Sequence, residues 1–187
     1  EVTEALARES ATADVLRIIS RSPASLAPAL QAIADTCRRL CDADAARVHL
    51  LDGDDLVFAN ASVGNDRVRI QGIAGVRIPL SGNPYPSSRA VREQTAVHVD
   101  DLATIPGVNV MAVASGQRTV LATPLLRADG AAGAIVLMRG DVRPFSEREI
   151  ELARGFADQA VIAIENARLF NELQATTEQL GALNVEL

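Results

Sequence analysis

The sequence predicts an α+β domain: one antiparallel sheet with long N- and C-terminal helices on one face and short helices and loops on the other. Three observations lead there. Apolar residues recur about every four positions near both ends of the chain. Between the ends the period falls to two. Two pairs of apolar runs are each separated by a short turn, the pattern of hairpins.

The first helix is expected over Glu1–Ser20, with Val2, Leu6, Ala13, Leu16 and Ile19 on or near one side. It stops before Pro23, because the residue preceding a proline avoids helical angles. Ser25 is placed to cap a second helix, Leu26–Leu40, with Pro28 tolerated in its first turn. Leu26, Leu30, Ile33, Cys37 and Leu40 trace its apolar face. The chain's two cysteines, Cys37 and Cys41, read as small core residues on this helix. Zinc needs four ligands, and an i, i+4 helical pair is poorly set for a disulfide.

The period then changes. Arg47–Leu51 reads as a strand, Asp52–Asp55 as a turn and Leu56–Ala61 as its partner. A short strand at Val76–Leu80 is held to an edge by Pro79. A proline-bracketed loop around Tyr85 leads to a short helix started by Ser87 or Ser88 and running through Glu93. Val97–Val99 is a short strand and Val110–Ala114 a helical turn. Arg118–Leu126 and Ala132–Met138 flank a segment containing Asp129-Gly130, a strong hairpin cue.

The final helix starts at Ser146 and runs without proline to Leu187, roughly 60 Å at about 1.5 Å per residue. Ser146 and Glu149 form a capping box, and Phe145 and Ile150 are spaced as a hydrophobic staple. Up to Phe170 the apolar side is broad and suits packing on a domain. Beyond, it narrows to a seam. Ile162, Asn166, Leu169, Leu173, Thr176, Leu180, Leu183 and Leu187 fall at alternating four- and three-residue steps, the spacing of a coiled coil. The chain therefore divides into an N-terminal linker helix (1–22), a domain (23–170) and a C-terminal coiled-coil linker helix (171–187). A homodimer through the terminal helices is expected. Residues 3–9 also echo residues 177–183, as in a tandem array of signalling helices.

Composition narrows the function. The chain has 187 residues, a net charge of −6 and a pI near 4.9, and its 18 basic residues are all arginine. An acidic chain lacks the basic stripe of a nucleic-acid binder. No run approaches the roughly 18 apolar residues of a membrane span. No signal peptide is evident, and reduced thiols fit a cytoplasmic location. No catalytic triad or phosphate loop is evident either. His49 and His98 sit in expected strands. Asp52, Asp54 and Asp55 read as a solvated turn, since the spacing of a calcium loop is missing. Neither enzymatic activity nor a bound metal is expected of this fragment.

The order of elements, the run Thr119-Val120-Leu121-Ala122-Thr123-Pro124-Leu125-Leu126 and the stretch from Phe145-Ser146 and Glu149 through Phe156-Ala157, Gln159-Ala160, Ala163-Ile164 and Asn166-Ala167-Arg168-Leu169 resemble a GAF domain, a PAS-like architecture. The resemblance covers about Leu26 to Phe170. It implies a sensory domain of a bacterial multidomain signalling protein, followed in the same chain by a sensor histidine kinase or nucleotide cyclase module. A small-molecule ligand would lie between sheet and covering loops. Relatives that bind cyclic nucleotides carry a lysine-containing motif, and this chain has no lysine. Relatives that bind bilin covalently use a loop cysteine, as do the methionine sulfoxide reductases, whereas both cysteines here are in the early helix. Covalent bilin is therefore not expected.

The resemblance places Tyr85, Arg89, His98, Met111, Arg118 and Thr123 as candidate ligand contacts. Tyr85 either stacks on a ligand or plugs the loop onto the core. Arg89 and Arg118 suit an anion, and His98, near Asp100 and Asp101, suits a proton-sensitive group. Ile162, Asn166, Leu169, Leu173, Leu180 and Leu187 are the dimer and relay positions. The leading reading is a regulatory domain that passes ligand or partner state through this helix. The alternative is a ligand-free structural dimerisation module in a nucleotide cyclase or other multidomain signalling protein.

Overall fold

A computed structural model of the chain describes residues 26–69, 76–108 and 110–183. The expected helix Glu1–Ser20, the cap at Ser25 and the seam position Leu187 lie outside the described residues.

Helix α1 (Leu26–Leu40) buries the stripe Ala29, Leu30, Ile33, Ala34 and Cys37. Strands β1 (Ala45–Asp52) and β2 (Asp55–Val63) form the first hairpin, and β3 (Arg77–Pro79) follows. Helix α2 (Pro86–Glu93) and strand β4 (Val97–Val99) precede a 3-10 turn at Leu102–Thr104 and the short helix α3 (Val110–Ala114). Strands β5 (Thr119–Arg127) and β6 (Gly130–Arg139) form the second hairpin, and α4 (Glu147–Leu183) closes the chain.

The six strands form one antiparallel sheet in the order β3-β2-β1-β6-β5-β4. Both hairpins lie side by side, with β1 and β6 as central neighbours. In each hairpin two residues form the tip, since Asp52 pairs with Asp55 and Arg127 with Gly130. Pro79 sits at an edge, where its missing N–H costs no ladder bond. Pro124 is tolerated for a related reason: β4 covers β5 only at Val120–Ala122. Around Tyr85 the expected serine cap is not used. Tyr85 itself is the N-cap of α2 without a side-chain bond, and Ser88 Oγ donates to the Pro79 carbonyl at 3.1 Å.

Strand alternation gives the sheet two buried faces. Ala46, Val48, Leu121, Leu125, Ile135 and Leu137 join α1 and α4 in the main core. Ala45, Val120, Ala122, Val136 and Met138 join Tyr85, Ala90, Val97, Val99 and Leu102 under the loop cover. Leu56, Val91 and Ala134 form a smaller cluster beside the second. With Phe at only 4 positions and no Trp, aliphatic side chains and alanines fill these layers. Cys37 and Cys41 are free and fully buried in the main core. Their mutual contact and burial raise the Cys37 thiol well above its ordinary value, so it stays protonated and unreactive.

Candidate functional site

The interior under the loops is built from β1, α2 and the segment before β5. On β1, Arg47 and His49 alternate with Ala46 and Val48, so they project to the loop side. Arg47 is 7% exposed and His49 1% exposed. Burial first, and the neighbouring Arg47 charge second, lower the His49 pKa from 6.5 to about 3, so the imidazole is neutral.

Tyr85 plugs this side. It is 5% exposed and packs in the loop-side cluster. Its backbone N–H donates to Asn83 Oδ1 at 2.9 Å, a local turn that sets the entry to α2. Its hydroxyl donates to Gln117 Oε1 at 2.6 Å. Gln117 Nε2 in turn donates to Ser115 Oγ at 2.9 Å, and Ser115 Oγ to the Ala112 carbonyl at 2.7 Å. The phenol pKa is raised by burial, with Arg47 opposing. The tyrosine is thus a neutral donor tying α2 to the α3–β5 connection.

The other expected contacts distribute differently. Arg89 lies on the outside of α2 and pairs with Glu93 at 3.2 Å. Arg118 makes a two-point ion pair with Asp101, 2.9 and 2.7 Å, and Asp101 also accepts from the Ala103 N–H. This pair lowers the Asp101 carboxyl below its ordinary range. Thr123 pairs with Ile135 and shares its strand face with Leu121 and Leu125, which belong to the helix-side core. Met111 is on α3.

His98 also turns to the helix side, because its neighbours Val97 and Val99 take the loop side. Its Nε2 accepts the Phe145 N–H at 3.0 Å, and the two rings meet edge to face at 5.8 Å. Asp100 Oδ1 lies 3.8 Å from the same nitrogen. His98 therefore contacts the start of α4 and not the loop-side interior.

That start is a junction of its own. Ser146 and Glu149 form the expected capping box: Ser146 N–H donates to Glu149 Oε2 at 2.8 Å, and Glu149 N–H to Ser146 Oγ at 3.3 Å. Phe145 lies in the main core and Ile150 packs partly against it. Behind them Arg139, 1% exposed, donates to the Cys41, Asp42, Arg143 and Pro144 carbonyls and to Glu149 Oε1. Its guanidinium also lies 3.9 Å from the Phe145 ring centroid. One side chain thus fastens the end of β6 to both the α1–β1 turn and the head of α4. Burial would raise the Glu149 carboxyl, but hydrogen bonds from Ser146 and Arg139 outweigh it and hold the group below the usual glutamate range.

Along α4 two stripes diverge. Ala153, Phe156, Ala157, Ala160, Ala163 and Ala167 are buried against the domain. Ile162, Leu169, Leu173 and Leu180 are 47%, 51%, 72% and 59% exposed, on nearly the opposite side of the helix. Asn166 and Thr176 are exposed on that same side. After Ala167 the helix is exposed up to Leu180.

An antiparallel sheet enclosed by α1 and α4 on one face and a loop cover on the other, with polar groups inside the cover, defines a small α+β module. The GAF domain family model matches residues 23–165, and the chain belongs to the GAF domain family. No curated protein sequence matches significantly. Among solved structures, the GAF-B domain of DevS from Mycobacterium smegmatis is 24% identical, with 81% of this chain and 98% of that chain covered and a TM-score of 0.63. A methyl-accepting chemotaxis protein (residues 122 to 287) is 19% identical, with 83% and 98% covered and a TM-score of 0.70. Free methionine-R-sulfoxide reductase from Neisseria meningitidis, in complex with its substrate, is 16% identical, with 89% and 93% covered and a TM-score of 0.70. At these identities the structures establish a shared fold.

The residues that the sequence reading missed are Arg47, Ser87, Gln117 and Arg139. A signal for the first was present. Arg47 and His49 occupy one parity of a run whose neighbours are apolar, and an ordinary hairpin would turn such a face to water. The strand's central place in the sheet buries it instead, and that place depends on pairing with β6, some 90 residues away in sequence.

Proposed function

We propose that this chain is the regulatory sensory domain of a bacterial signalling protein, with a histidine kinase as the downstream module. Two copies pair through α4, and a change on the loop side of the sheet alters how the paired helices leave the domain. The observation that carries this reading is the seam on α4. Its apolar residues keep the four–three spacing of a coiled coil, face away from the domain and continue past its last buried residue. A self-complementary seam of this kind selects a second copy of the same helix as its occupant. The division at residues 170–171 follows the same logic, since α4 loses its buried stripe after Ala167; the division at residues 22–23 lies outside the described residues.

The junction at Arg139 supports a route between the two faces of the sheet. β6 carries Val136 and Met138 on the loop side and ends in Arg139, which holds the cap of α4. A shift of β6 would therefore reach the helix at its fixed end. No catalytic role is assigned to the fragment. Among the described residues no helix is long and apolar enough to cross a membrane, and no group of three or more His, Cys, Asp or Glu side chains is placed to hold a metal.

The second reading, a ligand-free scaffold in a cyclase or similar protein, draws on Tyr85, whose ring and hydroxyl are already satisfied inside the domain. Sedimentation of the wild type against Leu169→Glu/Leu173→Glu tests the pairing common to both. A dimer that becomes monomeric at unchanged melting temperature is expected. A double variant that stays dimeric would remove the relay. Asn166→Leu tests register: the seam predicts a tighter and less specific association.

A further inference from the structure

Two arginines are buried among the described residues, and they are treated oppositely. Arg139 is saturated with carbonyl and carboxylate partners. Arg47 has no salt bridge or hydrogen bond among the described residues, and its Nε is buried without a partner. The nearest acid in sequence, Asp44, is already engaged by Asn65 Nδ2 at 2.5 Å and by the Gly140 N–H at 2.7 Å.

Two other buried polar atoms on the same side lack partners: His49 Nδ1 and Ser87 Oγ. Register and helix packing place all three around the same part of β6. Arg47 stands opposite Val136 and His49 opposite Ala134 on β6. Val136 clusters with Ala90, and Ala134 with Val91. Ala90 and Val91 follow Ser87 by three and four residues and so share its helix face. Ser87 therefore lies on the face of α2 that packs on β5 and β6, and β6 directly adjoins the β1 positions of Arg47 and His49.

An unpaired buried guanidinium is strongly disfavoured, and an unfilled buried hydroxyl adds to the cost. The chain has 24 acidic residues, and among the described residues none places a carboxylate on Arg47. We propose that the loop-side interior binds a small organic monoacid, its carboxylate on the Arg47 guanidinium with Ser87 Oγ and His49 beside it. One cation matches one carboxylate. A neutral ligand would leave Arg47 unpaired, and a dianion would bury an excess charge. Ala45, Val136 and Met138 offer an apolar bed for the rest of the molecule. This assignment deepens the sensory reading above and rests on it.

The test is titration calorimetry with parallel thermal melts of the full chain. The probes are sodium acetate, butyrate and benzoate, with butyramide as the neutral control and chloride and inorganic phosphate as the simple anions. At least one carboxylate should bind once per chain and raise the melting temperature, while butyramide and chloride do neither. Arg47→Met should weaken that carboxylate roughly tenfold or more. Without ligand the same variant should melt no lower than wild type, since it loses no partner. No carboxylate binding would overturn the proposal. So would chloride or phosphate binding as well as the best carboxylate (an adventitious ion only), or an Arg47→Met protein that folds but melts well below wild type. If Arg47→Met fails to fold, Ser87→Ala and Arg47→Lys decide: unchanged carboxylate affinity in both overturns the site. Repeating the titration on Leu173→Glu separates the two ideas. Binding that persists in a monomer leaves the site standing without the relay, and dimerisation without binding leaves the relay standing without this ligand.

Discussion

Arg139 and Glu149 show how much one buried pair organises. Removing the guanidinium strips four backbone carbonyls of a donor and takes the counter-charge from the partly buried Glu149. Arg139→Met should cost about 3–5 kcal/mol in urea unfolding, the range for breaking a buried ion pair from one side. The acid limb of stability draws chiefly on His49 and Glu149, whose folded-state pKa values are depressed, with the Arg118-paired Asp101 depressed as well. His49 is neutral in the fold down to about pH 3 but takes up a proton near 6.5 when unfolded. Its contribution is therefore complete above about pH 6.5 and is lost as pH falls toward 3. Glu149 joins below its unfolded value, about 4.3, since its folded pKa is lower still. Melts across this window should show stability declining from about pH 6.5 downward, and His49→Phe should flatten the upper part of that decline. A His49→Phe profile identical to wild type would contradict the buried neutral imidazole. At this scale the sequence revealed the capping box, because Ser146 and Glu149 are three residues apart. It concealed Arg139, whose partners come from Cys41 to Glu149 and converge only after folding.

Among the elements, the second hairpin and α4 behave most differently from one another. The hairpin is a rigid core unit, and its close approach to β1 depends on Gly133. That residue has φ of 155°, and a Cβ there would meet the His49 carbonyl oxygen at 2.0 Å. Gly133→Ala should lower the melting temperature clearly, by about 2–4 kcal/mol of stability, because strand backbone has to move. Helix α4 is the opposite case: Leu173 is 72% exposed, so Leu173→Glu should leave folding stability within about 0.5 kcal/mol while weakening self-association. The elements were largely readable, since each rests on a local period or a turn. The placement of side chains on them was less so. His98 and Thr123 are turned to the helix side by strand parity, and parity has meaning only once the neighbouring strands and the two covers are known.

In the whole molecule the two faces of the sheet carry different tasks. The helix face is a mainly apolar core that holds α1, α4 and the Arg139 junction. The loop face carries Arg47, His49 and Ser87, each with a buried polar atom that has no partner among the described residues. Family membership was legible because the order of elements and the last helix are sequence-local features. The interior was not, because it is assembled from β1, α2 and the α3–β5 connection. In the proposed function two domains pair through α4 and the loop side governs that pairing. Pulsed electron resonance on Gln174→Cys tests it directly, as Cys37 and Cys41 are fully buried and should resist labelling. Parallel pairing predicts one interspin distance of roughly 20 Å, given helices about 8–10 Å apart and the label arms. Saturation with the best-binding carboxylate should shift it. A protein with no dipolar coupling between chains would contradict the pairing, and a distance unmoved by that ligand would contradict its control from the loop side.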